Sequence, residues 1–139
     1  MRALSIRQPW ADAIVHGTKR TENRTRPAPD KHVGTRILIH TSLLGDRAAI
    51  LPFGYNTARR DWPAARGAIV GAATLTGCHR DAGCCTPWGQ RSGARPVYHW
   101  QLTDVVALGQ PVPAKGALGF WTPGPDALAA VYRQIEVGP

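Results

Sequence analysis

Glutamate is scarce in this 139-residue chain, which has only Glu22 and Glu136. Lysine is scarce too, supplying three of the seventeen cations and leaving fourteen to arginine. No run reaches the roughly 18 apolar residues that a membrane-spanning helix needs. The opening Met1-Arg2-Ala3-Leu4-Ser5-Ile6-Arg7 meets charge too soon for the apolar stretch of a secretory signal, so a soluble, cytoplasmic protein is expected. Cysteine is limited to Cys78, Cys84 and Cys85; an odd count without a signal argues against a disulfide scaffold. These cysteines lie beside His79, but the paired C-x-x-C spacing of zinc sites is missing and adjacent cysteines do not easily reach one ion. No metal and no cofactor are therefore expected. Also absent are a Ser/His/Asp order, an H-E-x-x-H pair and a glycine-rich phosphate loop, so none of those chemistries is signalled. Without repeats, linkers or a change in composition, the chain reads as one domain, residues 1–139, and as a monomer.

What the chain has is positive charge. Seventeen Lys+Arg oppose nine Asp+Glu, a net charge of +8. Such a balance attracts polyanions, because each phosphate neutralised releases a counterion. The planar fork of arginine suits phosphate and base edges better than an ammonium does. Residues 1–36 hold eight cations and three acids, hence five of the eight net charges. RNA or DNA is the expected partner.

Periodicity sketches the fold. Residues 3–6 read as a short buried strand. In "QPWADAIVHG" Pro9 suits a helix start and Gly17 the position just past its end, with Trp10 and Ile14 docking on the core. "TENRTR" reads as an extended, wholly polar segment, with Glu22, Arg24 and Arg26 on one face and Thr21, Asn23 and Thr25 on the other. Such a strand must border a polar cleft. Further strands are expected over 35–42, 67–77 and 97–108, a short helix after Asp46, and a terminal helix with a stripe of Leu128, Val131, Tyr132 and Ile135. Residues 77–96 lack periodicity and are expected to form a long functional loop. Together these elements predict a small α+β domain: a partly closed β-barrel flanked by short helices.

The candidate site centres on "GTKRTENRTR", Gly17 to Arg26. Lys19, Arg20, Arg24 and Arg26 are its cations and Glu22 its single acid. Glu22 would pair with Arg24 and Lys19 and aim them into the cleft, a positioning task. Lys19, if partly buried beside Arg20 or Arg24, would have a lowered pKa and could act as a nucleophile. Arg7 and Gln8 fall near the cleft mouth, where Gln8 could read a base edge or cap the helix. Arg59, Arg60 and Arg66 could extend a phosphate track; Trp88, with Trp62, is a stacking candidate, and Arg91 accompanies it. His40 and His99 read as satisfied core or rim residues.

"LSIRQPWADAIVHGTKRTENRTR" resembles the opening of the ASCH domains, of the PUA-like superfamily, whose signature G-x-K-x-x-E-x-R is matched here by Gly17, Lys19, Glu22 and Arg24. "QPWA" resembles the segment that commonly precedes it, and "GTRILIHTS", "GAIVGAATLTG" and "YHWQLTDV" fall where strands of such a barrel would. The resemblance implies a PUA-like β-barrel that binds RNA or DNA in a cleft beside the first helix. It also implies an alternative, an enzyme in that cleft using Lys19 and Glu22. Some members resemble ribonucleases, and one branch is an amidohydrolase of an acetylated cytidine, with threonine at the position of Glu22 and the reacting lysine at Lys19.

Overall fold

The computed structural model describes residues 1–52 and 61–136. Arg59 and Arg60 lie outside the described residues. Six strands, β1 (Arg2–Ile6), β2 (Thr21–Arg24), β3 (Thr35–Thr41), β4 (Ala68–Arg80), β5 (Tyr98–Pro113) and β6 (Phe120–Trp121), form one sheet. Two helices, α1 (Trp10–Val15) and α2 (Pro125–Glu136), flank it, and a 3-10 turn covers Asp30–His32. The sheet order is β2-β5-β4-β3-β1-β6. The β1/β3 pair is parallel and the other pairs are antiparallel.

Period-2 alternation divides the core in two. Leu4, Ile37, Ile39, Val70, Ala73 and Trp100 face inward with Ile14 of α1. Ala3, Leu38, Ile69, Ala72 and Leu108 face outward, under Val131 of α2. Burial on both faces explains the unbroken apolar run of β3. Helix α1 presses on β4 at Gly71, where a Cβ would stand 2.5 Å from Val15 Cγ1 and 2.6 Å from the Val106 carbonyl oxygen. Only glycine permits that approach.

Register shifts within the β3/β4 and β4/β5 ladders mark bulges, which bend the long strands and increase their twist. The sheet therefore curls into a half-barrel. It does not close, in contrast to the barrel expected from the strand pattern: β2 and β6 are its two edges. With four and two residues they are too short to make a closing ladder. Side chains span the seam instead. Arg24 of β2 donates to the Ser5 carbonyl of β1 at 3.0 Å, and Trp100 of β5 stacks on Phe120 of β6 with centroids 5.8 Å apart.

Other expectations shift in detail. No helix forms between Asp46 and Pro52; the Asp46 carboxylate caps a single turn through the Ala48 N–H at 3.0 Å and accepts the Trp10 indole N–H at 2.9 Å. The segment before Pro52 is too short to extend that turn into a stable helix. Strands β4 and β5 run further than their apolar alternation suggests, to Arg80 and Pro113, because the ladder between them continues past the core. No helix of the described residues is long and apolar enough to cross a membrane.

Candidate functional site

The seam between the sheet edges opens into a cleft of about 1160 Å³, lined by Arg7, Trp10, Lys19, Glu22, Arg24, Arg95 and Lys115 among others. Pairing of β2 with β5 determines which side chains reach it. Glu22 and Arg24 lie opposite Trp100 and Tyr98, and Thr21 and Asn23 lie opposite Gln101 and His99. Glu22 and Arg24 turn to the cleft, whereas the Thr21 side chain bonds Gln101 and the Asn23 side chain bonds the backbone at Trp88 and Gln90, as alternation requires.

Glu22 is the hub. One carboxylate oxygen lies 3.4 Å from Lys19 Nζ, and the other accepts from Arg24 Nε at 3.1 Å. Lys19 forms the floor: it is 1% exposed, donates to the Thr21 carbonyl, and its ammonium sits 5.7 Å from the centroid of the Trp10 ring. Burial holds the Lys19 pKa below the ordinary lysine value; the Glu22 carboxylate beside it pulls the value back up, and Arg24 pushes it down. Arg24 bridges Glu22 and the Ser5 carbonyl, with its guanidinium 5.6 Å from the Trp100 ring centroid. The carboxylate thus joins a buried cation to a partly exposed one and holds the arginine fork in a single pose.

The cleft gathers Arg7, Lys19, Glu22 and Arg24 from the sequence candidates and disperses the rest. Gln8 is buried, donating to the Ala65 carbonyl and accepting from the Asp12 N–H, so it is a brace of α1. Arg20 wraps the end of α1, its Nη1 donating to the Ile14, Gly17 and Lys19 carbonyls. The exposed Arg26 contributes its own carbonyl to the Trp100 indole N–H. Arg66 donates to the Leu43 carbonyl and lines a neighbouring groove. Arg91 lies 3.7 Å from the Asp81 carboxylate. Trp88 is not a stacking surface: it is buried against Ala13 and Leu51. Its apolar ring outweighs the polar composition of the loop around it.

Sequence reasoning missed Lys115 as a site residue, because "AKGALG" carries no local pattern. It also missed the apolar rim of Leu43, Leu44 and Leu118, exposed side chains that line the same cleft. Arg95 is brought to the cleft by the loop after β4, which Asn23 fastens: its side chain donates to the Trp88 carbonyl at 3.0 Å and accepts from the Gln90 N–H at 2.8 Å. Of the two strand histidines, His40 is satisfied by Ser5 Oγ and the Ala114 carbonyl. His99 instead faces the back of the loop, where it meets His79, Cys84 and Cys85. That grouping is contrary to what the cysteine spacing implies.

Residues 4–112 match the ASCH domain. The chain belongs to the ASCH domain family. Among solved structures, the ASCH protein of Zymomonas mobilis has a TM-score of 0.58 at 16% identity, covering 95% of this chain and 93% of that one. Two single-residue variants of that protein give 0.59 at 15% identity, each covering 95% of this chain, and 96% and 94% of theirs. At such identity the likeness describes the fold. No curated protein matches the sequence. Lys19, Glu22 and Arg24 meet in the hub at the floor of the seam, and Gly17 supplies the close turn that leads to it: a Cβ there would lie 2.7 Å from the Ala13 carbonyl oxygen.

Proposed function

We propose that this ASCH domain binds nucleic acid, RNA or DNA, in the seam cleft. The observation that carries the proposal is its charge. Among the described residues, five cations, Arg7, Lys19, Arg24, Arg95 and Lys115, line one cleft with only two acids, Glu22 and Asp46. Both acids are engaged, Glu22 by Lys19 and Arg24, and Asp46 by the Trp10 and Ala48 N–H groups. Among the described residues, no ion pair involves Arg7, Arg95 or Lys115. Their charge is available to phosphate. Lys19 acts from below, holding Glu22, which aims Arg24. The exposed leucines on the rim suit unpaired bases, which a duplex would turn inward, so single strands are the preferred form.

Fluorescence anisotropy with labelled single- and double-stranded RNA and DNA over a salt series tests this reading. Binding should weaken linearly in log–log form with salt, and Arg7→Ala or Arg24→Ala should each reduce the slope by about one. Salt-independent binding, or none to any of the four polymers, refutes it.

A second reading has its own support, the desolvated Lys19 amine at the cleft floor. Burial favours its neutral, nucleophilic form, which would suit a nuclease or an amidohydrolase of a modified nucleoside, with Glu22 poised beside it. In that case Lys19→Ala abolishes turnover with only a modest loss of binding. Intact polymers and unchanged modified nucleosides after prolonged incubation with the wild type would count against it.

A further inference from the structure

Behind β2, on the side away from the cleft, the loop of residues 81–97 folds back over the ends of β4 and β5. It brings together two imidazoles and two thiols that lie apart in sequence. The ligating atoms of His79, Cys84, Cys85 and His99 all lie within 4.8 Å of one another. We propose that these four residues form a tetrahedral zinc site that clamps the loop to the sheet.

Three independent features of the geometry support it. The first is spacing. Zinc–sulfur and zinc–nitrogen bonds of about 2.3 and 2.0 Å place tetrahedral S···N edges at about 3.5 Å and the S···S edge at about 3.8 Å. The observed S···N distances are 3.6 Å from Cys85 to His79, 3.8 Å from Cys84 to His99 and 3.9 Å from Cys84 to His79. The two sulfurs are 3.0 Å apart and need to separate by about 0.8 Å to match that edge, a movement within reach of rotation about their Cα–Cβ bonds.

Tautomers are the second feature. His99 Nε2 lies 2.8 Å from the Gln90 carbonyl oxygen, and His79 Nδ1 lies 2.9 Å from the Arg80 carbonyl oxygen. A carbonyl only accepts, so those nitrogens carry the ring protons. The remaining nitrogens, His99 Nδ1 and His79 Nε2, hold lone pairs, and they are the atoms facing the sulfurs. Metal-binding histidines are held in this way by outer acceptors. The Asp81 carboxylate, 3.8 Å from His99 Nε2, adds an outer charge of the right sign.

The third is the backbone. In an extended chain adjacent side chains diverge, so neighbouring cysteines do not share an ion. Cys85 adopts a left-handed conformation, φ 69°, and turns both sulfurs to one side. That region is uncommon for a residue with a Cβ, and a metal bond would compensate its cost. The Gln101 amide, held by Thr21, donates to both His79 Nε2 and Cys85 Sγ at 3.2 Å. With an ion bound it retains the sulfur as its acceptor.

Two thiolates and two imidazoles select zinc over harder divalent ions, and four protein ligands leave no open position for a substrate. The site is structural. It anchors the loop that delivers Trp88 to the core and Arg95 to the cleft rim. The inference rests on the cluster alone and does not depend on what the cleft binds.

The test uses the full chain, reduced and free of chelator and affinity tag. Elemental analysis should find one zinc per chain. Cobalt(II) titration should give one equivalent with intense visible bands and a thiolate-to-cobalt charge-transfer band. Cys84→Ser, Cys85→Ser and His99→Gln should each weaken cobalt binding by at least about 10-fold, the scale seen when a supporting partner of a metal ligand is lost. Cys78→Ser, whose sulfur instead accepts from the Ala28 N–H, should bind cobalt as the wild type does. Metal removal should open residues 81–97 to protease, which reads the clamp without any variant. A reduced wild-type chain that takes up no zinc or cobalt overturns the proposal. So does charge transfer that survives replacement of both Cys84 and Cys85, or a Cys84–Cys85 disulfide whose reduction restores no metal binding.

Discussion

Glu22→Gln tests the hub most directly, because it removes one charge with little change in shape. Lys19 is 1% exposed and Glu22 7%. Removing one partner of a buried ion pair costs about 3–5 kcal/mol, chiefly because the other charge is left without compensation. The Arg24 half adds little, since that side chain is 29% exposed and solvent screens it. Lysine has an escape, which sets a ceiling. Neutralising an amine of ordinary pKa about 10.4 costs about 5 kcal/mol at pH 7 but only about 2 kcal/mol at pH 9. In the variant, Lys19 loses the carboxylate that raises its pKa and keeps the burial that lowers it. The folded state then binds fewer protons than the unfolded state between the lowered value and the ordinary one, so stability rises with pH across that window. Urea unfolding followed by tryptophan fluorescence should show Glu22→Gln losing about 3–5 kcal/mol at pH 7 and no more than about 2 kcal/mol at pH 9. In thermal melts the neutral-pH loss corresponds to about 10–20 °C. Lys19→Met combined with Glu22→Gln should be more stable than Glu22→Gln alone. A loss below about 1 kcal/mol at pH 7 would mean a solvated pair, and an equal loss at both pH values would mean that Lys19 does not titrate. Either result refutes the reasoning.

Three further predictions concern the frame around the hub. Burial holds the His40 pKa below its ordinary 6.5, with the Ala114 carbonyl pulling the other way; its folded state resists protonation, so stability should fall as pH drops below about 6.5, and His40→Gln should flatten that fall in melts across the range. Gly71→Ala forces a Cβ against Val15 and the Val106 carbonyl oxygen; backbone cannot yield cheaply, and denaturant titration should show a loss of about 1–3 kcal/mol. Trp88→Ala should cost about 3–5 kcal/mol of stability, the range for emptying a buried aromatic site; its nucleic-acid affinity, measured well below the melting point, should change far less than that of Arg24→Ala.

Local order was legible in the sequence because it depends on neighbours along the chain. Alternation located β1, β3 and the cores of β4 and β5, and the stripe of Leu128, Val131 and Ile135 marked α2. The polar alternation of β2 placed Glu22 and Arg24 on one face, and their contact follows from two-residue spacing. Glu22 and Arg24 could therefore be grouped before any tertiary contact was known.

Closure, burial and convergence were decided by tertiary structure. Whether a curled sheet closes depends on bulge positions and edge lengths, which no single strand records. Gln8, Arg20 and Trp88 looked available because their neighbours are polar or charged; backbone carbonyls and the core at Ala13 and Leu51 engage them instead. Arg95 and Lys115 reach the cleft from loops far along the chain. Cys84 and Cys85 read as divergent because an extended backbone separates adjacent side chains, yet one left-handed residue turns both toward His79 and His99. Periodicity carries information over a few residues, whereas a site is assembled by contacts among segments tens of residues apart, and those contacts exist only once the sheet has curled.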